Sequence, residues 1–191
     1  MMDDILVCKS DVPVKLVTEG DCGVGKTSLL ITYETKNFPL EYCPTVFDNN
    51  SVYVTFNEHA VDLDLWDTAG EELRSITYSK VDVFIICYSI TSTESLESVE
   101  KKWIPEINLF SPNTPFIIVG TKSDLRDEKV ISKAECCGGF VLYKHGKKKS
   151  KELDAKGYLE CSALTGNGVS AVFEKGVRVA LENLFSIPKR K

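Results

Sequence analysis

Gly20-Asp21-Cys22-Gly23-Val24-Gly25-Lys26-Thr27 fits the pattern G-x-x-x-x-G-K-[ST], which builds a site for a nucleotide's phosphates. Glycines let backbone N–H groups approach phosphate oxygens. Lys26 places a cation at the β/γ-phosphates, and the Thr27 hydroxyl is a ligand for Mg²⁺. A glycine-rich turn with no ligand is the alternative, and the context argues against it. Val14, Leu16 and Val17 precede the loop as a short strand. Ser28-Leu29-Leu30-Ile31 comes after it as a helix, whose N-terminus favours an anion.

Which base the site takes turns on Thr121-Lys122-Ser123-Asp124, after the apolar run Phe116-Ile117-Ile118-Val119. A carboxylate at the end of a buried parallel strand can accept both N–H groups on guanine's Watson–Crick edge. Adenine has no exocyclic donor there, so the carboxylate would stay unpaired at a cost of roughly 2–5 kcal/mol. The Lys122 stem can lie along the base. This motif speaks against an ATP-using P-loop kinase.

Three further pieces fall in order along the chain. Asp67-Thr68-Ala69-Gly70 ends the alternating run Val61-Asp62-Leu63-Asp64-Leu65-Trp66. Asp67 at a strand end can hold Mg²⁺ through water, and Gly70 is small enough for its N–H to reach a γ-phosphate. Thr45, within Pro44-Thr45-Val46-Phe47, is a second hydroxyl ligand for the metal. Glu160-Cys161-Ser162-Ala163-Leu164 offers backbone N–H groups to the guanine oxygen.

Together these motifs resemble the Ras superfamily of small GTPases, over about residues 12–186. Pro44-Thr45-Val46-Phe47-Asp48-Asn49, Leu65-Trp66-Asp67-Thr68-Ala69-Gly70, Thr121-Lys122-Ser123-Asp124-Leu125-Arg126 and Glu160-Cys161-Ser162-Ala163 are similar to the Rho family, nearest its Rac-like members. The resemblance implies an α/β fold of the P-loop NTPase type, a six-stranded, mostly parallel sheet with helices on both faces. It implies a GTP/GDP switch with Mg²⁺, hydrolysing GTP with Lys26, Thr45, Gly70 and Glu71 at the reacting phosphate. It sets the nucleotide against Asp21, Cys22, Gly23, Val24, Gly25, Lys26, Thr27 and Ser28, with Phe38 edge-on to guanine and Tyr42 closing over the phosphates. Thr45, Asp67, Gly70, Thr121, Lys122, Asp124, Leu125, Ser162, Ala163 and Leu164 complete that set. The metal falls to Thr27, Thr45 and, through water, Asp67. Effectors would dock on Tyr42, Pro44, Thr45, Val46, Phe47, Asp48 and Asn49. Exchange factors, GTPase-activating proteins and dissociation inhibitors are the other implied partners of a monomeric, cytoplasmic protein.

Several positions depart from the family pattern. Cys22 stands where a glycine usually leaves room for the γ-phosphate, and Glu71 where a glutamine orients the attacking water. A carboxylate can accept from water but cannot donate to the transition state, and it adds negative charge beside phosphate. The hydrolysis expected is therefore slow, and a GTP-binding interaction module that hardly hydrolyses is the rival reading. The segment Leu73-Arg74-Ser75-Ile76-Thr77-Tyr78 looks shortened, and Asn50 replaces the usual tyrosine beside the effector loop. Thr18 and Glu19 end a strand that is apolar in the family, so Glu19 needs a partner or an edge.

The elements that must hold these motifs can be read from periodicity. The 191 residues, 43% hydrophobic, suffice for one compact domain over 12–186, between an extension at 1–11 and a basic tail at 187–191. Strands are expected at 14–18, 51–56, 60–66, 83–89, 115–120 and 157–160, with helices at 25–35, 94–109 and 167–185. The stretch 36–49 is expected as a loop, Asn57-Glu58 as a turn, and 71–80 as irregular. Thr93, with Leu96 and Val99, starts the helix at 94–109, and Pro105 should bend that helix or start a new turn. Lys144, Lys147, Lys148, Lys149 and Lys151 read as a solvated loop, with contact to an anionic surface as the alternative. Cys136-Cys137-Gly138-Gly139-Phe140-Val141-Leu142-Tyr143 is a poor helix, which speaks against the Rho family's extra helix there.

Composition excludes other classes. The net charge of −5 argues against nucleic acid. The cysteines number seven and show no metal spacing, which fits reduced thiols. His59 and His145 read as surface residues in turns. The longest apolar run, Val83 to Cys87, is too short to span a membrane. A membrane role would need a lipidated tail, since Pro188-Lys189-Arg190-Lys191 carries no prenylation signal.

Overall fold

Val83-Phe84-Ile85-Ile86-Cys87-Tyr88-Ser89 is β-branched and aromatic and has no polar alternation, so it must be covered on both faces. All seven residues are buried, in a strand next to the sheet's middle. In the computed structural model, which describes residues 12–40, 47–56, 59–68, 77–126 and 140–186, that strand belongs to one six-stranded sheet.

The strands are β1 Val12–Gly20, β2 Phe47–Phe56, β3 His59–Thr68, β4 Val83–Ser89, β5 Phe116–Thr121 and β6 Tyr158–Glu160. Their order is β2-β3-β1-β4-β5-β6. Only β2 and β3 pair antiparallel; the other neighbours are parallel. The expected fold is the one found. Pro13 lies in β1 where only β3 flanks it, because β4 joins from Leu16 onward. A residue without an N–H is tolerated there.

Among the described residues the α-helices are α1 Lys26–Thr35, α2 Thr93–Ser98, α3 Ile104–Phe110, α4 Tyr143–Glu152 and α5 Val169–Ser186. They cover two cores. Val14, Leu16, Ile85 and Val119 pack with Leu29 and Tyr33 of α1 and Val172 and Phe173 of α5. The rings of Tyr33 and Phe173 stack at 3.8 Å, joining those two helices. On the opposite face, Val17, Phe84, Ile86 and Ile118 pack against Val99, Trp103 and Ile107.

Three expectations need correction. The stretch 36–49 is not loop to its end: β2 already begins at Phe47, because Phe47, Asp48 and Asn49 find partners in Thr68, Asp67 and Trp66. The helix expected at 94–109 is not regular throughout, although Pro105 does start a new turn as expected. Ser92 caps α2 by accepting from the Ser95 N–H at 3.1 Å, then a π-helical turn spans Val99–Trp103 and α3 starts with Pro105 in its first turn. The lysine cluster is not a loop but helix α4, and His145 lies on it. Glu19, expected to need a partner or an edge, is buried in β1 between β3 and β4 and has an interaction partner there.

Helix α4 forms against its local sequence because it gains a tertiary seat. Gly146 and Ser150 are buried, while Lys149 reaches Glu100 at 2.5 Å and Lys148 pairs with Glu152 at 3.6 Å. Phe140, Val141 and Leu142 stay non-helical, as their β propensity suggests. The question of an extra helix across 127–139 lies outside the described residues, as do Cys8, Cys43, Cys136, Cys137 and the tail from 187.

Candidate functional site

The loop from Gly20 to Gly25 leaves β1 and enters α1 through three glycines in the left-handed or positive-φ region. Gly20 has φ 143°, and a Cβ there would collide with the Cys87 carbonyl oxygen. Only glycine lets this loop lie so close to β4. The Lys26 ammonium donates to the Gly20 and Asp21 carbonyls at 2.8 and 3.1 Å, so its charge stays over the loop. The Asp21 carboxylate accepts from the Trp103 indole at 2.9 Å. Cys22 is exposed in the same loop.

Beside the loop, the Thr27 hydroxyl donates to Asp67 Oδ2 at 2.5 Å. The second oxygen, Oδ1, is buried with no hydrogen-bond partner. A hydroxyl next to a carboxylate with an unsatisfied buried oxygen suits a hard cation that seeks oxygen and keeps its waters. Thr27 and Asp67 thus fit Mg²⁺. Among the described residues no group of three or more His, Cys, Asp and Glu could hold an ion alone. The remaining ligands must then come from water, from phosphate or from Thr45, which lies outside the described residues.

A cavity of about 240 Å³ opens on the other side of α1. Gly25, Ser28 and Leu29 form its floor. Thr121, Lys122, Asp124 and Leu125 form one wall; Cys161, Ala163 and Leu164 another; and Phe38 closes the rim. Phe38 is 36% exposed, Leu125 47% and Leu164 59%, so three large apolar side chains ring an open slot. A flat aromatic base would cover them. Lys122, with φ 61°, reaches across to the Gly23 carbonyl at 2.7 Å. The Thr121 hydroxyl bonds the Val24 carbonyl at 2.5 Å and the Tyr88 carbonyl at 3.0 Å. Hydrogen bonds from Thr121 and Lys122 therefore tie the base wall to the phosphate loop.

Ser162 is named in the sequence with the base-facing residues. It is buried outside the cavity lining, and its N–H goes to the Asn167 carbonyl at 2.9 Å. Ala163 and Leu164 line the slot instead. Tyr42, Pro44, Thr45, Val46, Gly70 and Glu71 lie outside the described residues; Phe47, Asp48 and Asn49 are placed as the first residues of β2.

The sequence reading missed the cluster that holds the two base-facing loops together. Arg126 pairs with both oxygens of Glu160 and donates to the Val141 carbonyl at 2.7 Å. The Tyr158 hydroxyl donates to Glu160 at 2.5 Å, and the Tyr88 hydroxyl lies 2.7 Å from that of Tyr158. Burial raises both phenols well above the ordinary tyrosine range, so both keep their protons. The same burial pushes the Cys161 thiol up to about 12, which leaves it inert. Arg126 ends one quoted motif and Glu160 begins another, but nothing in sequence links them; their pairing comes from β5 lying beside β6.

Gly146 of α4 sits directly over the two hydroxyls, where a methyl would meet both. Alanine favours helix by about 1 kcal/mol over glycine. Gly146→Ala should nonetheless destabilise the protein, by about 1–3 kcal/mol, because neither locked phenol can retreat. Thermal unfolding of the two proteins checks this, and a higher midpoint for Gly146→Ala would contradict the packing described.

Among the described residues no helix is long and apolar enough to cross a membrane. A protein-family model described as the Ras family matches residues 15–182 of the chain.

Proposed function

The chain belongs to the Ras family of GTP-binding switches, and we propose that it is a Rho-type member with slow GTP hydrolysis. Family members bind GTP and GDP with Mg²⁺, hydrolyse GTP, and meet effectors, exchange factors and GTPase-activating proteins. The observation that carries the reading is the continuous site from the Thr27–Asp67 pair, across the phosphate loop, to the slot faced by Asp124. Mg²⁺ held by Thr27 and Asp67 would supply neutralising charge on the phosphates. Lys26 supplies a second cation, and the slot orients the base. The Rho assignment rests on the sequences from Pro44 to Asn49 and from Thr121 to Arg126. Competition titration of the purified protein with GTP, GDP and ATP tests the site. Preference for ATP would reject it.

A second reading, a GTP-dependent interaction module with almost no turnover, is favoured by Cys22 in the phosphate loop and Glu71 after Gly70. Single-turnover hydrolysis separates the two.

Effector recognition is proposed for Tyr42 to Asn49, with Asp48 as its discriminating charge. Losing one member of a desolvated pair costs roughly 2–5 kcal/mol. Asp48→Ala should abolish GTP-dependent capture of partners while sparing nucleotide affinity. Asn50 donates to Glu34 of α1 at 2.9 Å, where an aromatic would offer an anchor. Asn50→Tyr should therefore widen the set of partners captured. Equal capture by parent, Asp48→Ala and Asn50→Tyr would remove this loop from the recognition surface.

A further inference from the structure

We propose that Trp103, on the π-helical turn, is a positioning residue that anchors the Asp21 carboxylate and keeps its charge off the bound phosphates. An anion-binding loop with a carboxylate at its second residue sets like charges close together. The structure shows where that carboxylate goes. Trp103 Nε1 donates to Asp21 Oδ1 at 2.9 Å, and Trp103 is 3% exposed. Its ring lies in the core with Val17, Phe84 and Ile86, on the face of the sheet opposite Leu29 and Leu30 of α1. Lys26 and Thr27 ride on α1. Asp21 is thus held from both faces: its carbonyl accepts from Lys26 at 3.1 Å, and its carboxylate is drawn across to Trp103.

The anchor explains the local break in the helix. A π-helical turn adds a residue to the turn and re-aims the side chains beyond it, and such turns recur at functional positions. Here the turn spans Val99–Trp103 and its last residue is the indole that meets the phosphate loop. Lys102 lies 4.7 Å over the same ring, placing a cation against the donor's π-system. The bond joins residues far apart in the chain, and no motif announces it.

The proposal rests on the GTP/GDP-binding reading of the site. Its test is a cycle of parent, Trp103→Phe, Asp21→Asn and the double variant, each titrated with fluorescent GDP and GTP analogues at low and high salt. Releasing the carboxylate should weaken GTP more than GDP, by roughly three- to tenfold, because the γ-phosphate adds charge; salt should shrink the difference. The double variant should recover the parent's GTP:GDP ratio, since a neutral side chain no longer repels. A purely structural role for Trp103 would weaken both nucleotides alike and would not be rescued by Asp21→Asn. Either result overturns the anchor. Asp21→Asn alone, which keeps an acceptor for the indole and removes the charge, should shift the affinities for GDP and GTP alike. A several-fold gain for GTP would overturn the proposal even if Trp103→Phe did not fold. A parent that binds neither guanine nucleotide would defeat the underlying reading; a parent that binds both while the cycle is additive would defeat the anchor alone.

Discussion

Asp124→Asn is expected to lower affinity for GTP and GDP by about 10²–10³-fold and to favour xanthine nucleotides. Asp124 sits on a short 3₁₀ turn, Ser123–Leu125, directly after β5, where it faces the slot. The turn is closed by the Leu125 N–H on the Lys122 carbonyl at 3.0 Å and the Arg126 N–H on the Ser123 carbonyl at 3.2 Å. Ser123 is in turn tied to the neighbouring loop, its N–H on the Cys161 carbonyl at 3.0 Å. The carboxylate cannot retreat when it loses its partners, so the wrong base leaves it unpaired. An amide at the same place donates where guanine also donates. Xanthine, with an exocyclic oxygen, accepts. Competition of guanine against xanthine nucleotides on the two proteins measures this, and equal guanine affinity would take Asp124 out of base recognition.

Glu71→Gln should raise the single-turnover rate, and combining it with Cys22→Gly should raise it further, toward about 10²–10³-fold in total. The amide restores a donor to the transition-state oxygens and removes a charge from beside the phosphates. Glycine at position 22 adds room in a loop whose Cys22 side chain is exposed on the phosphate-binding segment. A parent rate equal to that of the double variant, or a slower Glu71→Gln, would show that water is oriented by some other group.

Much of the site was legible because its chemistry is written in short, local spacings. The glycines from Gly20 to Gly25, the Lys26-Thr27 pair and the run ending in Asp124 each need only a strand before and a turn or helix after. Those elements are themselves declared by local patterns, such as the uninterrupted apolar β4 and the alternation of Val61, Leu63 and Leu65 with Asp62 and Asp64. Elements that local patterns misstate were misread. Helix α4 contains a glycine and a row of like charges, both poor helix signals. Its stability comes from partners elsewhere: Glu100 for Lys149, and the Tyr88 and Tyr158 hydroxyls that leave room only for Gly146. β2 likewise starts early because an antiparallel neighbour supplies partners down to Thr68.

The sequence by itself determined the family of fold and the nucleotide class, and it named the candidate residues for phosphate, metal and base, since each motif is encoded within a few positions of a strand end. Only the tertiary structure decided how those loops are held. Arg126 meets Glu160 because β5 and β6 are neighbours, and Trp103 meets Asp21 because a π-helical turn packs beside the end of β1. Buried ion pairs and cross-sheet hydrogen bonds depend on which elements become adjacent and in what register. That adjacency is a property of the whole packed chain, and no short stretch of residues carries it.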